Sequence, residues 1–246
     1  SPGLTCDEVD CRIEACAAIT WDRRFGLVGT NNLVRALLVF NDGQGDALYV
    51  GGTFTLAGNA VVNYIAKWDG ADWSPLVSPG GIGMDGPVYS LGVYDDGTGP
   101  ALFAGGAFTT AGGIPANRIA KWNGVEWSSL SGPNGNGMNN EVNALQAFDD
   151  GSGPALFAVG AFTTSGGVIT NRVARWNGTA WSALAGVSSV GVNGNGRAAV
   201  VWDDGSGDAL YVGGHFTSAG GTIAHRVARW NGAAWSALTS PLGQGT

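Results

Sequence analysis

The sequence predicts an all-β fold, a β-propeller of four-stranded blades. The first observation is a period of 54 residues, kept four times without an insertion or a deletion. The second is a series of short apolar runs bounded by glycine-rich turns, with no 3.6-residue apolar period of a helix. Units repeated in this way bury their faces against their neighbours. The aromatic residues that mark the period are Phe40, Tyr94, Phe148 and Trp202; Phe54, Phe108, Phe162 and Phe216; Trp68, Trp122, Trp176 and Trp230; and Trp73, Trp127, Trp181 and Trp235.

The second repeat contains the four strands of one predicted blade. The first two runs are apolar on both faces, which is typical of strands covered on both sides. Asp95-Asp96-Gly97 separates them, and Asp-Gly favours a tight turn. Four strands of this length, repeated radially, describe a propeller blade. The predicted strands cover residues 88–94, 101–108, 118–122 and 125–130.

The last two strands of each repeat are predicted to form a hairpin. Asn123-Gly124 favours a two-residue turn, which would pair Lys121 with Glu126 on one face. Trp122 and Trp127 would then be diagonal neighbours on the other face. Because every repeat carries both tryptophans, we expect these rings to supply much of the contact between sheets.

The chain divides into a cysteine-containing segment, residues 1–30, and the four-repeat array, residues 31–246. Residues 17–30 read as a partial hairpin, half of a further blade. These strands either pack as an extra onto a closed ring of four blades or complete a sheet in another molecule, and strand donation is a direct route to polymers. A longer repeat protein cut at residue 246 would give the same pattern.

Three cysteines, Cys6, Cys11 and Cys16, precede the repeats. An odd number in a secreted chain indicates one bridge with a leftover thiol, or a bond between molecules. We therefore interpret them as a disulfide or intermolecular tether, with ordinary structural pairing as the alternative. A metal or iron–sulfur site is disfavoured because no Cys-x-x-Cys spacing is present.

Acidic turns occur in every repeat. Residues 42–46 and 204–208 place oxygen-bearing side chains at alternate positions, as calcium loops do. The middle repeats have Pro100 and Pro154 where the second aspartate would stand, and no bidentate glutamate follows. We predict hairpin turns here and no metal site.

Three segments of the second repeat resemble a known repeat family. They are Gly105-Gly106-Ala107-Phe108-Thr109-Thr110-Ala111-Gly112-Gly113, Asn117-Arg118-Ile119-Ala120-Lys121-Trp122-Asn123-Gly124 and Trp127-Ser128. They are similar to the delta-60 type propeller repeats of large secreted bacterial proteins and to the propeller of cortical polarity-marker proteins on cell surfaces. The resemblance covers roughly residues 33–246 and does not include the cysteines. It implies an extracellular or surface-displayed propeller and carries over no catalytic residue.

An Asn-Arg step recurs where the loop enters the third strand, at Asn117-Arg118 and Asn171-Arg172. In a propeller such loops lie on the side that usually binds ligands, so these four residues are candidate ligand-face residues, with glycans as candidate ligands. The alternative is structural, in which asparagine ties the loop to itself and arginine covers the blade surface with its apolar stem.

Composition narrows the function classes. The formal net charge is −7 with 12 Lys and Arg residues and no basic run, which disfavours nucleic acid as a partner. No apolar stretch approaches the roughly 20 residues of a membrane-spanning helix. The start at Ser1-Pro2 is interpreted as the mature end of a secreted protein, with trimming of a longer chain as the alternative.

Only two histidines are present, without a nucleophile motif beside them, so no catalytic residue and no cofactor is predicted. We predict a secreted structural protein, a subunit of an extracellular filament or surface assembly joined through its N-terminal segment. Its partners would be further copies of itself or other surface proteins. The alternative is a carbohydrate- or protein-binding propeller module.

Overall fold

The computed structural model describes residues 29–132 and 135–239. Within these ranges the chain is all-β, and none of these residues is helical. Its strands form four antiparallel four-stranded sheets and six two-stranded hairpins. The three cysteines lie outside the described residues, as does the predicted N-terminal hairpin apart from its last two residues.

The strands recur at equivalent places in the four repeats. The first repeat contains β1 (Val34–Asn41), β2 (Asp46–Gly52), β3 (Leu56–Ala57), β4 (Ala60–Val61), β5 (Ile65–Trp68), β6 (Trp73–Pro75), β7 (Val77–Ser78) and β8 (Gly81–Ile82). The second contains β9 (Val88–Asp95), β10 (Pro100–Gly106), β11 (Thr110–Ala111), β12 (Ile114–Pro115), β13 (Ile119–Trp122), β14 (Trp127–Ser129), β15 (Ser131–Gly132) and β16 (Gly135–Asn136). The third contains β17 (Val142–Asp149), β18 (Pro154–Gly160), β19 (Thr164–Ser165), β20 (Val168–Ile169), β21 (Val173–Trp176) and β22 (Trp181–Ala183). The fourth contains β23 (Asn195–Asp203), β24 (Asp208–His215), β25 (Ser218–Ala219), β26 (Thr222–Ile223), β27 (Val227–Trp230) and β28 (Trp235–Ala237).

Each four-stranded sheet takes its long strands in chain order. The orders are β1-β2-β5-β6, β9-β10-β13-β14, β17-β18-β21-β22 and β23-β24-β27-β28, and we call these the first to fourth sheets. The second sheet uses the four runs predicted from the sequence, so the prediction of four strands per repeat is confirmed. The short hairpins lie in the connections between these strands.

The outer hairpin differs from the predicted register. Trp122 lies directly opposite Trp127, and Lys121 lies opposite Ser128. The loop between the two paired strands therefore contains four residues, whereas the sequence predicted a two-residue turn. The predicted pairing of Lys121 with Glu126 is wrong. The tryptophan rings do contact each other, and this contact recurs in all four sheets with centroids 5.1–5.4 Å apart.

The Asn123 side chain explains the longer loop. Its Oδ1 accepts the backbone N–H groups of Val125 and Glu126 at 2.9 and 2.8 Å. An asparagine that bonds its own backbone two and three residues on builds an Asx turn, which competes with the two-residue turn. The equivalent residues that accept the same pair of N–H groups are Asp69, Asn177 and Asn231.

Neighbouring sheets pack face to face. Strand β1 packs against β9, β9 against β17, and β17 against β23. Between the second and third sheets, Phe103, Leu156 and Trp181 belong to one hydrophobic cluster, and all three are buried. Three such interfaces form the core, and the four sheets do not close into a ring within the described residues.

Every interface contains one glycine facing one valine at the same two positions of the repeat. In the first two interfaces the earlier sheet supplies the glycine, and a Cβ on it would lie 2.6 Å from a valine Cγ1. In the third interface the order is reversed, so total volume is conserved. The pairs are Gly51 with Val88, Gly105 with Val142 and, reversed, Val159 with Gly196.

Candidate functional site

Three of the four predicted ligand-face residues donate side-chain hydrogen bonds to backbone carbonyl groups. Arg118 Nη1 donates to the carbonyl oxygens of Phe108 and Ala107 at 2.9 and 3.2 Å. Asn117 Nδ2 donates to the carbonyl oxygen of Asn136 at 3.0 Å, and Asn171 Nδ2 to that of Val190 at 3.4 Å. These contacts favour the structural alternative for Asn117, Arg118 and Asn171, and ligand binding by this loop stays a prediction.

The backbone gives a second reason for the recurrence of this step. Arg118 and Arg172 have φ angles of 66° and 69°, in the left-handed region that residues with a side chain rarely adopt. The same position has the same conformation in all four repeats, so it belongs to the loop geometry of the repeat. Its other occupants are Tyr64 and Arg226.

The acidic turns join the first two strands of each sheet, which confirms the hairpin prediction. In the first repeat, Asp42 Oδ2 accepts hydrogen bonds from Tyr49 Oη at 2.6 Å and Lys67 Nζ at 2.7 Å. Its Oδ1 accepts the N–H of Gln44. Both oxygens of the Asp42 carboxylate therefore accept hydrogen bonds from groups of the same repeat.

The pairing of this aspartate with a cation on the third strand recurs and was missed from the sequence. Lys121 Nζ lies 2.6 Å from Asp96 Oδ2, and the two side chains are mostly buried. The constant separation of 25 residues between aspartate and cation was the available signal. The other pairs are Asp42 with Lys67, Asp150 with Arg175 and Asp204 with Arg229.

These contacts shift the acidity of the aspartates. Burial raises the pKa of Asp96, but the hydrogen bonds from Lys121 and Thr98 outweigh it, and the pKa lies below its usual value. The pKa of Asp42 is lowered in the same way, with Lys67 and Tyr49 opposing burial. A carboxyl group with a lowered pKa stabilises the folded state above its unfolded pKa, about 3.9, and loses that contribution as the pH falls through its folded pKa.

We expect Asp96→Asn to lower the free energy of unfolding by about 1–3 kcal/mol at pH 7, since Lys121 loses a charged partner. The difference from the wild type should shrink as the pH falls from about 3.9 through the lower folded pKa of Asp96, until the carboxyl group is protonated in both states. Urea denaturation across pH 2.5–8 measures this. Asp95→Asn is the matched control, because Asn41 holds the equivalent turn in the first repeat. A difference that persists unchanged at pH 2.5 would contradict the assignment.

The first sheet leaves one apolar face uncovered. Leu37 is 62% exposed, whereas the equivalent Leu91 and Leu145 are only 9% and 7% exposed because a preceding sheet covers them. Val39 is exposed beside it, and Val34 lies on the same strand. We call this surface the leading face.

The fourth sheet leaves the opposite face uncovered. Trp202 is 57% exposed, whereas the equivalent Phe148 is 8% exposed beneath the next sheet. Val200 is also exposed, and with Tyr211 and Val227 it lines an open apolar groove. We call this surface the trailing face.

A polar cavity of about 320 Å³ lies among the first strands of the four sheets. Its lining residues are Arg35, Tyr89, Glu141, Asn143 and Arg197. All except Glu141 occupy the same position of the repeat, 54 residues apart. This position carries a different residue in neighbouring repeats, unlike the aromatic and glycine positions of the array.

The charged groups of the cavity act on one another. The Arg35 guanidinium carbon lies 5.9 Å from the centroid of the Tyr89 ring, within cation–π range. Burial raises the pKa of Tyr89, and Glu141 raises it further, while Arg35 and Arg197 oppose the change. Tyr89 therefore stays protonated at neutral pH and can donate a hydrogen bond. Asn143 Nδ2 donates to the Gly196 carbonyl oxygen at 2.8 Å, which links the third and fourth sheets.

A larger groove of about 390 Å³ runs between the acidic turn of the first repeat and the outer hairpin of the second. Its principal charges, Asp42 and Lys67, already form an ion pair. The cavity among the first strands is therefore the stronger candidate site.

No family model, curated protein or solved structure matched the chain in the three comparisons with known proteins. None of the described residues forms a helix with the length and apolar character needed to cross a membrane.

Proposed function

We propose that the chain is a structural subunit of an extracellular assembly, a β-propeller-type array whose blades continue from one copy to the next. The observation that carries this proposal is the pair of uncovered apolar faces at the two ends of the array. Exposed apolar patches of this kind mark interaction surfaces. The trailing and leading faces are the two halves of an interface that the chain already builds three times.

The propeller interpretation is supported by the cavity that the first strands of all four sheets share. In a propeller the first strand of each blade lines the central axis. Further blades between the fourth sheet and the first are part of the proposal, since each of these two sheets keeps one apolar face uncovered.

The glycine and valine positions support a second copy as the occupant. Gly213 on the trailing face is equivalent to Gly51 and Gly105, and a Cβ on it would meet no atom closer than 4.0 Å. Val34 on the leading face is equivalent to Val88 and Val142, and it is exposed. Stacking one copy's trailing face on the next copy's leading face would complete a fourth glycine–valine pair.

Contacts of this kind are heterologous, because two different surfaces meet. Such contacts generate a closed ring when the rotation between successive copies adds up to a full turn, and an open filament when it does not. The cysteine segment, residues 1–30, would then lie near a junction, and we propose that Cys6, Cys11 or Cys16 tethers neighbouring copies. Secretion is part of the same proposal, since such bonds persist in oxidising compartments.

We expect Gly213→Val to weaken self-association, because a second valine would oppose Val34 at the junction. The fold of the single chain should tolerate the change, since the space around Gly213 is open. Adding Val34→Gly should restore association by reversing the pair, the arrangement that Val159 and Gly196 use. Multi-angle light scattering over a concentration series, with and without reductant, measures both steps.

Comparison with and without reductant distinguishes a disulfide tether from contact between the apolar faces. If reductant alone abolishes assembly, the junction between copies depends on the cysteines. A wild-type chain that stays monomeric at every concentration under both conditions would refute the proposal. So would association that is indifferent to Gly213→Val, since the trailing face would then play no part in it.

A ligand-binding module is the second candidate function, and the cavity among the first strands favours it. Glycan binding through Arg118 and Arg172 is testable by a glycan array with both residues changed together. The hydrogen bonds of the Arg118 side chain to the loop backbone make this the weaker form of the alternative.

A further inference from the structure

The two arginines of the cavity differ from the other described cations. The others occupy positions at which the repeats have a shared structural role, either in an ion pair with aspartate or at the left-handed loop position. Arg35 and Arg197 stand instead at the repeat position where Tyr89 and Asn143 replace them. The other described cations are Lys67, Lys121, Arg175 and Arg229 in the ion pairs, and Arg118, Arg172 and Arg226 in the loops.

No ion pair satisfies either arginine within the described residues. The Arg35 side chain has only its contact with the Tyr89 ring, and the Arg197 side chain forms no hydrogen bond with the described residues. Guanidinium groups present several N–H donors in a planar fork that matches a carboxylate. The two guanidinium groups therefore bring more hydrogen-bond donors into the cavity than its own acceptor groups satisfy.

The charge of the cavity specifies the ligand further. Two guanidinium groups and the Glu141 carboxylate leave a formal charge of +1, within a chain whose net charge is −7. A monoanion would neutralise this local charge, whereas a dianion such as phosphate would leave an excess negative charge beside the Glu141 carboxylate. The phenol of Tyr89 and the amide of Asn143 add neutral hydrogen-bonding groups for hydroxyls.

We propose that this cavity binds a small hydroxylated monocarboxylate, the chemistry of a sugar acid. The carboxylate lies between Arg35 and Arg197, and the hydroxyl groups contact Asn143, Tyr89 and Glu141. A volume of about 320 Å³ is at the lower end of small-molecule sites, which fits a single sugar ring. The site is independent of self-association, because none of its residues belongs to the leading or trailing face.

Isothermal titration of the full chain with D-glucuronate tests the proposal, with D-glucose and inorganic phosphate as comparison ligands. We expect glucuronate to bind with a Kd of about 1 mM or tighter, phosphate more weakly, and glucose not measurably. Raising the salt concentration should weaken the binding, since the site is partly open to solvent.

Three variants locate the binding. Arg197→Gln should weaken glucuronate binding roughly tenfold to hundredfold, the range for hydrogen bonds to a charged group. Glu141→Gln should strengthen it, an effect that misfolding could not produce. Arg226→Gln removes the same charge from the same repeat but outside the cavity, and it should leave the affinity unchanged.

Several results would overturn the assignment. These are no binding of glucuronate at 50-fold the expected Kd, equal binding of glucose, and tighter binding of phosphate. Equal effects of Arg197→Gln and Arg226→Gln would place any observed binding elsewhere.

Discussion

Trp181→Ala is expected to lower the free energy of unfolding by about 3–5 kcal/mol, the largest effect of any single change considered for this chain. Trp181 is buried between the second and third sheets, and its ring lies 5.1 Å from that of Trp176. Its Nε1 also donates to the Leu130 carbonyl oxygen at 3.4 Å, so the change removes a hydrogen bond across the interface. Urea denaturation followed by circular dichroism measures the loss.

The equivalent residue of the first sheet provides the matched control. Trp73 is only half-buried, because no preceding sheet covers it, although its ring contact with Trp68 is the same. Trp73→Ala should therefore cost clearly less than Trp181→Ala. Equal losses would show that the contact inside each hairpin, and not the contact between sheets, stabilises the array.

Gly105→Val is expected to lower the free energy of unfolding by about 1–3 kcal/mol, because a Cβ there would lie 2.6 Å from Val142 Cγ1. Val142→Gly should also destabilise the chain, since it leaves a cavity and adds a glycine to a strand. The double variant reverses the pair, as Val159 and Gly196 do naturally, and it should recover part of both losses.

A double-mutant cycle measures that recovery as a coupling energy of about 0.5–3 kcal/mol. Gly213→Val is the control for the added side chain, because the same change on the trailing face meets open space in the single chain. If the effects of Gly105→Val and Val142→Gly simply add, the two positions do not share one packing site.

The secondary structure was largely predictable, because apolar runs and turn residues recur at a constant period. The outer hairpin was placed two residues out of register. Asn123-Gly124 favours a two-residue turn in isolation, but the Asn123 side chain captures two N–H groups and extends the loop. The two turn types use the same residues, so local sequence does not distinguish them.

The functional residues were harder to predict for a different reason. A search for recurring residues finds the structural positions, such as Arg118 and Asp96, since every repeat needs them. Arg35 and Arg197 were overlooked because their position varies between repeats, and only the packing of the sheets brings them into one cavity. Whether the array closes into a propeller also depends on the angle between sheets, which no single repeat encodes.

The reversed pair of Val159 and Gly196 bears on how the chain avoids misfolding. Tandem units of nearly identical sequence can dock in the wrong order and become kinetically trapped. If the second sheet docked directly on the fourth, Gly105 would face Gly196 and leave a void the size of a valine side chain. The exchange of one valine and one glycine therefore makes this non-native docking order less stable than the native one, although the repeats are otherwise similar.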